Sequence, residues 1–477
     1  MVAGIAVRKY VGKVEHYLIA GREMDLYLGI ASLAATEFGI VTCMYAAQLG
    51  YENGFAGATP GIAMALAMWV IGVTGFCVKP LRDAGVMTVP ELFDKRFGPR
   101  VRWLSGVVIV LGGLLNMGIF LRTGGEFLVT VIGLSPEGHN LEIMMTGLLL
   151  AVAIYTVLGG MLSVLVTDFL QFIVMSVGLI AVTVLILVSI GWSGLVGAVD
   201  RHYGAGGFNP FVNPNLGWPW VTFQVLLNTA AVLTWQTTIQ RLLAAKDTKT
   251  GRKIYTRTSF FFVCRFLVPG IWGIAALATL APGVTDAPEF STWHAMPMFL
   301  STAVPIGLMG LLVAAMLAAD MSTDSSYMLT WASVIYNDIL RPFRKKQWSD
   351  KKGLLWSRCI VACIGIFLLF YGLWYKVEGP LWDYLTITGT IYLSSMSTLL
   401  IACCYWKRAN SWGAGGAIIL GAAIPLSFLI LQLIPKTQTF AEMIGPNWAG
   451  IAAFALAWLA MIVGSLLKPA EKEAKTS

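Results

Sequence analysis

Runs of about twenty apolar residues recur along nearly the whole chain, and no other feature limits its fold so strictly. Each is long enough to cross about 30 Å of hydrocarbon as a helix. Twelve stand out, near 26–48, 58–78, 103–132, 141–158, 164–190, 219–240, 258–281, 298–336, 356–375, 380–405, 413–434 and 447–467. In a bilayer every backbone group must find its partner within the protein, which runs of this length achieve as helices. Of 477 residues, 57% are apolar and 12% charged, too few polar groups to cover a water-soluble domain of this size. The expectation is an all-α integral membrane protein.

The basic residues orient it. Assigned alternately to the segments between spans, 28 Lys and Arg fall on one side, in 1–25, 79–102, 241–257, 341–358, 407–408 and 468–475. The other side holds Arg201, Lys376 and Lys436, while Arg122 and Arg265 lie inside spans. The rich side and both termini are therefore expected in the cytoplasm, with the protein in the plasma membrane of a bacterial cell. The net charge of +8 follows from this topology and gives no reason to expect a nucleic-acid partner. Seven cysteines without a CxxC pair argue against a disulfide or zinc framework. All four histidines fall between spans, and no HExxH, Walker loop or nucleophile elbow is present, which argues against an enzyme. The opening "MVAGIAV", followed by "RKYVGK", is too short to span and reads as the stub of a helix or a late start.

Ionisable residues inside spans are costly and face the bundle interior or a water-filled path. Here they are Glu37, Arg122, Glu126, Asp168, Arg265, Asp320 and Asp324. Glu37 sits in "AATEFGIVT", where Thr, Gly and a carboxylate in mid-span predict a discontinuous helix with carbonyls freed for an ion. The alternative is a kink with Glu37 paired to a basic neighbour. In "AADMSTDSS" (318–326), Ala319, Ser322, Thr323 and Ser326 share one helical face. Adjacent hydroxyls beside carbonyl oxygens suit a dehydrated monovalent cation, although Ser and Thr also serve as packing groups between helices. Asp320 and Asp324 stack one turn apart on a neighbouring stripe, so one is protonated unless Arg122, Arg265 or an ion compensates. Arg122 and Glu126 satisfy each other at i, i+4. Asp168 has no such neighbour, and Arg265 is either an anchor reaching toward the cytoplasm or a solute contact.

Read together, several segments resemble the sodium:solute symporter family. They are "YLIAGREM" (17–24), "GVMTVPELFDKRFGPRVR" (85–102), "YTVLGGMLSVLVTDFLQ" (155–171), "IQRLLAAKD" (239–247) and "AADMSTDSS". The resemblance implies a LeuT-type core of two inverted five-helix repeats, over 26–192 and 219–405. Residues 1–25 would be a lead-in, 193–218 an external segment and 406–477 two peripheral helices with a short tail. Members of the family usually carry one more helix before the lead-in. By the same resemblance, sodium is held by main-chain oxygens of Ala35 and Phe38, the carbonyl of Ala319 and the hydroxyls of Ser322 and Thr323. Asp168 matches an acid linked to sodium coupling or to a second ion. Asp320 departs from the motif, which commonly has an apolar residue there.

The implied activity is sodium-coupled uptake of a small organic solute, such as an amino acid or a monocarboxylate, by alternating access, with no cofactor beyond Na+. Candidate solute or gating residues are Glu37, Trp235, Gln236, Arg265, Asp320 and Asp324. The second span has no carboxylate, Asn or Gln, which counts against a galactose-like solute. Two rival readings remain: proton coupling on the same fold, and a symporter-like sensor that does not transport.

Overall fold

The computed structural model describes residues 12–134, 139–281, 290–344, 348–376 and 379–468. The segment "MVAGIAV" lies outside them. The described chain is helical, and nine of its helices are long and apolar enough to cross a membrane. The elements that build the site are α1 (Leu26–Thr36), α2 (Ile40–Asn53), α3 (Thr59–Thr74), α4 (Pro99–Met117), α5 (Phe120–Ile132), α6 (Asn140–Ser189), α7 (Gly217–Thr234), α8 (Gln236–Ala244), α9 (Thr248–Thr279), α10 (Ile306–Val334), α11 (Asp350–Trp374), α12 (Leu381–Tyr405), α13 (Ser411–Leu433) and α14 (Pro435–Leu467).

Several boundaries differ from expectation for identifiable reasons. The spans expected at 141–158 and 164–190 run together as α6, whose 50 residues would measure about 75 Å if straight, far beyond a bilayer. Gly160, at φ 58° and ψ −151°, breaks it into two. A Cβ at this glycine would lie 2.4 Å from the Tyr17 ring, so the bend leaves room only for the lead-in packed beneath it. The expected span 298–336 is likewise two pieces, Ala295–Ala303 and α10, separated by Val304 and Pro305. Proline cannot continue the first helix but caps the start of the second.

The lead-in is docked rather than free. Tyr17, Leu18 and Ile19 are fully buried, and Met24 exchanges backbone hydrogen bonds with Ala244 and Lys246 at the end of α8. Side-chain caps start several helices on the basic-rich face. Asp25 accepts from Leu28 N–H, and at Val89–Phe97 the Thr88 hydroxyl accepts from Glu91 N–H while the Glu91 carboxylate accepts from Met87 N–H. Burial then separates centre from rim. The apolar window of α12 is 83% buried, against 28% for α6, whose Val188, Ile180 and Leu150 face outward. Helices α13 and α14 pack on each other and on α12, away from α1 and α10.

Candidate functional site

The chain breaks twice near the centre of the bundle. Helix α1 ends at Thr36 and α2 begins at Ile40, leaving Glu37, Phe38 and Gly39 between them. Helix α7 ends at Thr234, Trp235 is extended at φ −63° and ψ 118°, and α8 begins at Gln236. Extended residues release backbone groups from the helical ladder, and at this depth such groups are tolerated only where protein or a cavity receives them.

The first break lies against α10. Thr323 Oγ1 donates to the Thr36 carbonyl at 3.0 Å. A Cβ on Gly39 would stand 2.7 Å from Thr323 Oγ1, so only glycine permits this approach. Ala35, Phe38, Ala319, Ser322 and Thr323 are all buried, and they belong to the two segments brought together here. Their donor set is oxygen alone: main-chain carbonyls and two hydroxyls, which suits a hard cation. Ser322 Oγ donates to Asp168 Oδ1 at 2.6 Å.

Asp168 is not isolated. Its Oδ2 accepts from Ser32 Oγ at 2.6 Å and pairs with Arg241 Nη2 at 3.3 Å, and neither charged side chain has any exposed surface. The same Arg241 nitrogen donates to Thr36 Oγ1 at 2.6 Å and to Ser326 Oγ, while Arg241 Nε reaches Ser32 Oγ at 3.2 Å. From the alternation of basic segments, Arg241 is expected in the cytoplasmic stretch 241–257. It is instead on α8, turned inward, where it compensates the acid for which no partner was foreseen. Helical spacing could not reveal this pair, because its members are 73 residues apart.

Above this layer is a central cavity of about 80 Å³, lined by Glu37, Tyr45, Trp235, Arg265, Tyr327 and Trp382 among others. Glu37 Oε2 pairs with Arg265 Nη1 at 3.2 Å, and Glu37 Oε1 accepts from Thr237 Oγ1 at 2.6 Å. Arg265 Nη2 donates to Tyr45 OH at 2.8 Å, and its guanidinium lies 5.7 Å from the centre of the Phe262 ring. Arg265 is therefore an inward residue and not a cytoplasmic anchor. Trp235 Nε1 donates to Tyr327 OH at 2.9 Å, and its ring stacks on Tyr392 at 5.7 Å. On one side the cavity ends at Trp382, packed against Tyr45 at 4.7 Å and Phe266 at 5.3 Å.

Three of the residues expected to touch solute do not line this cavity. Gln236 is the first residue of α8, and its amide turns back to the Thr234 carbonyl at 3.4 Å. Asp320 faces Gly124 of α5, where an added Cβ would sit 3.0 Å from Asp320 Oδ2. Asp324, one turn along, is buried on the same stripe. Arg122 and Arg265 compensate neither aspartate, being paired with Glu126 and Glu37. Sequence reading missed Tyr45, Tyr327 and Trp382, because an aromatic residue in an apolar run carries no mark of which way it faces.

The sodium:solute symporter family matches residues 17–421. Among curated proteins, the chain is 26% identical to sodium/glucose cotransporter 4 of Danio rerio, over 92% of this chain and 70% of that one. It is 26% identical to the osmoregulated proline transporter OpuE of Bacillus subtilis, over 95% and 89%. It is 24% identical to the high-affinity proline transporter PutP of the same organism, over 100% and 97%. A solved structure of a Na+-coupled sialic acid symporter, substrate-bound and outward-open, superposes with a TM-score of 0.81 at 18% identity, covering 98% of this chain and 96% of that one. Mhp1, a nucleobase-cation-symport-1 family transporter, superposes at 0.58 with 16% identity, covering 96% of each chain. The fold is the LeuT type shared by these secondary transporters. The chain belongs to the sodium:solute symporter family.

Proposed function

We propose that this protein takes up a small amino acid, or a similar solute with both an ammonium and a carboxylate group, together with sodium. The observation that carries the reading is the Glu37–Arg265 pair, an acid and a base lining one central cavity at the break of the first span. An ammonium group would pair with Glu37 and a carboxylate with Arg265, exchanging an internal ion pair for two intermolecular ones. That two similar proteins are proline transporters supports a zwitterion. Similar sugar and inositol cotransporters leave the class open to test.

Sodium, as a co-substrate, would lie between Ala35, Phe38, Ala319, Ser322 and Thr323. It would tie the break of the first span to α10 and so hold the cavity in shape. Asp168 contributes through its bond to Ser322, with Arg241 balancing its charge. The two repeats, 26–192 and 219–405, would then rock against each other, with the basic-rich face and the C-terminus in the cytoplasm. One charge crossing 100 mV supplies about 2.3 kcal/mol. A tenfold sodium gradient adds roughly 1.4 kcal/mol, enough together for a solute gradient of about 500-fold.

Thermal unfolding of the purified protein in sodium and in potassium, across a panel of amino acids, monocarboxylates and sugars, tests this. A ligand of the folded state raises its stability by mass action. The expected result is one amino acid that stabilises only in sodium, with the gain abolished in the Ser322→Ala, Thr323→Ala double variant. Equal stabilisation in potassium, or full sodium dependence in the double variant, would overturn the sodium assignment.

A further inference from the structure

Three of the seven cysteines meet where the end of α3 faces the end of α12, at the basic-rich face. Cys77, in the turn after α3, has its thiol against that of Cys404, with Cys403 close by. The flanking residues fix this approach independently. The rings of Phe76 and Tyr405 stack at 5.0 Å with 8° between their planes, and Cys77 N–H donates to Tyr405 OH at 2.9 Å. Arg96 donates to the carbonyls of Cys403 and Trp406, which ties the end of α12 to the helix Val89–Phe97.

Two features set this pair apart from cysteines that only fill space. Cys77 has φ 57° and ψ −36°, in the left-handed region where a side chain is strained and glycine is usual. The same turn already uses Gly75 at φ 75°, yet its next positive φ falls on a cysteine. Strain of this kind persists where the surroundings demand that side chain. The second feature is exposure. Cys77 is fully buried, whereas Cys404 is partly exposed and has the Arg96 guanidinium as a neighbour. Reactive thiols sit in partly exposed, electropositive surroundings, and buried ones are inert by themselves. One thiol is therefore placed to meet a reagent, and the other to meet the first.

We propose that Cys77 and Cys404 form a reversible redox site, oxidised to an intramolecular disulfide by small disulfides of the glutathione type. The Cys404 thiolate attacks one sulfur of the reagent and breaks its S–S bond, and the departing thiolate takes up the proton that Cys404 lost. Cys77 then attacks Cys404 Sγ as a thiolate and displaces the second reagent sulfur, which leaves with the Cys77 proton. Two protein thiols are oxidised, and one reagent disulfide is reduced to two thiols. Cys403 stands about 100° round the helix from Cys404 and so does not share its approach to Cys77. The bond would fix the end of α3 to the end of α12, which belong to the two repeats that transport moves against each other. That consequence rests on the transport reading, whereas the bond does not.

The test uses the full chain, reduced and then incubated with glutathione disulfide, with free thiols alkylated and unreduced peptides mapped by mass spectrometry. Peptides joined through Cys77 and Cys404 should form, and should separate again with dithiothreitol. In Cys77→Ser, Cys404 should stop at the mixed disulfide with glutathione. In Cys404→Ser, Cys77 should be oxidised about tenfold more slowly than in the parent, since it is buried. A bond that uses Cys403 instead, a glutathione adduct that persists on Cys404 of the parent, or two unmodified thiols would each overturn the proposal. Backbone hydrogen exchange over 75–85 and 400–410 should slow about tenfold in the joined form. The joined form should still bind, in sodium, the amino acid that stabilises the parent. Its uptake into proteoliposomes should fall about tenfold and return with dithiothreitol. Unchanged hydrogen exchange or unchanged uptake in the joined form would overturn the lock. Failure of every amino acid to stabilise the protein in sodium would refute the transport reading instead, and would leave the joined peptides and the hydrogen exchange to judge the thiol pair.

Discussion

Two buried ion pairs hold the broken first span, and they differ in what lies beside them. Glu37–Arg265 lines a cavity, whereas Asp168–Arg241 is sealed on all sides by α1, α6, α8 and α10. The chemistry is the same, a carboxylate and a guanidinium a little over 3 Å apart. A dry pair has no water to fall back on, so removing one member strands the other, whereas a pair at a cavity can be rehydrated or met by a ligand. The sealed pair therefore works as a fastener of four helices, and the open pair is the one we propose to meet solute.

The sharpest way to break this comparison is Arg241→Met. It should cost about 3–5 kcal/mol of stability, because Asp168 keeps the Ser32 and Ser322 hydroxyls but loses its opposite charge. Thermal unfolding in detergent would show it, and the Arg241→Met, Asp168→Asn double variant should recover much of the loss. A single variant as stable as the parent would mean that Asp168 is already neutral, and the fastener would have to be abandoned.

Glu37→Gln should behave in the opposite manner. Its amide oxygen can still accept from Thr237 and Thr238, and the cavity gives Arg265 access to water, so stability should change little. Solute affinity should fall tenfold to a hundredfold, about 1.4–2.7 kcal/mol, in sodium-dependent binding of whichever amino acid stabilises the parent. Should stability fall as far as in Arg241→Met with affinity unchanged, the two pairs would have the same role.

The contrast also shows what the sequence could reveal. A carboxylate and a glycine inside an apolar run announced the first break, because both are costly in a continuous membrane helix. Ser322 and Thr323 stood out for the same reason. The partner of Asp168 did not, since Arg241 is the first residue of a basic segment, where charge is ordinarily solvated. Only the inward turn of α8 after Trp235 makes it a core residue. Asp320 and Asp324 were legible as anomalies but not as positions, because the stretch 319–334 of α10 is buried on nearly every face and gives its stripes no apolar-to-polar gradient to read.

Gly39→Ala tests the contact that both pairs serve. Its methyl would meet Thr323 Oγ1 at 2.7 Å, and neither backbone can retreat far inside a packed bundle. A cost of about 1–3 kcal/mol is expected, as for other overpacked sites. Sodium should stabilise this variant less than the parent in the same unfolding assay. A normal sodium response would show that the break need not touch α10 for the ion to bind.

The smallest expected effect lies outside the bilayer and sets the scale for the rest. Asp247 Oδ1 accepts from Thr250 N–H at 2.6 Å and caps α9 at the basic-rich face. That backbone N–H holds the Asp247 carboxyl below the usual carboxylate range. Asp247→Ala should cost about 1 kcal/mol, the ordinary worth of an N-cap. A carboxyl whose pKa is lower in the folded than in the unfolded chain stabilises fully above the unfolded value, and it loses that contribution as pH falls through the folded one. The difference between parent and variant should therefore stay flat from neutral pH down to about pH 5, then shrink below roughly pH 4. A difference that already shrank between pH 8 and pH 6 would trace the effect to some other group. A loss as large as that of Arg241→Met would show that this exposed cap is coupled to the core, and that burial is not what separates the strong contacts from the weak.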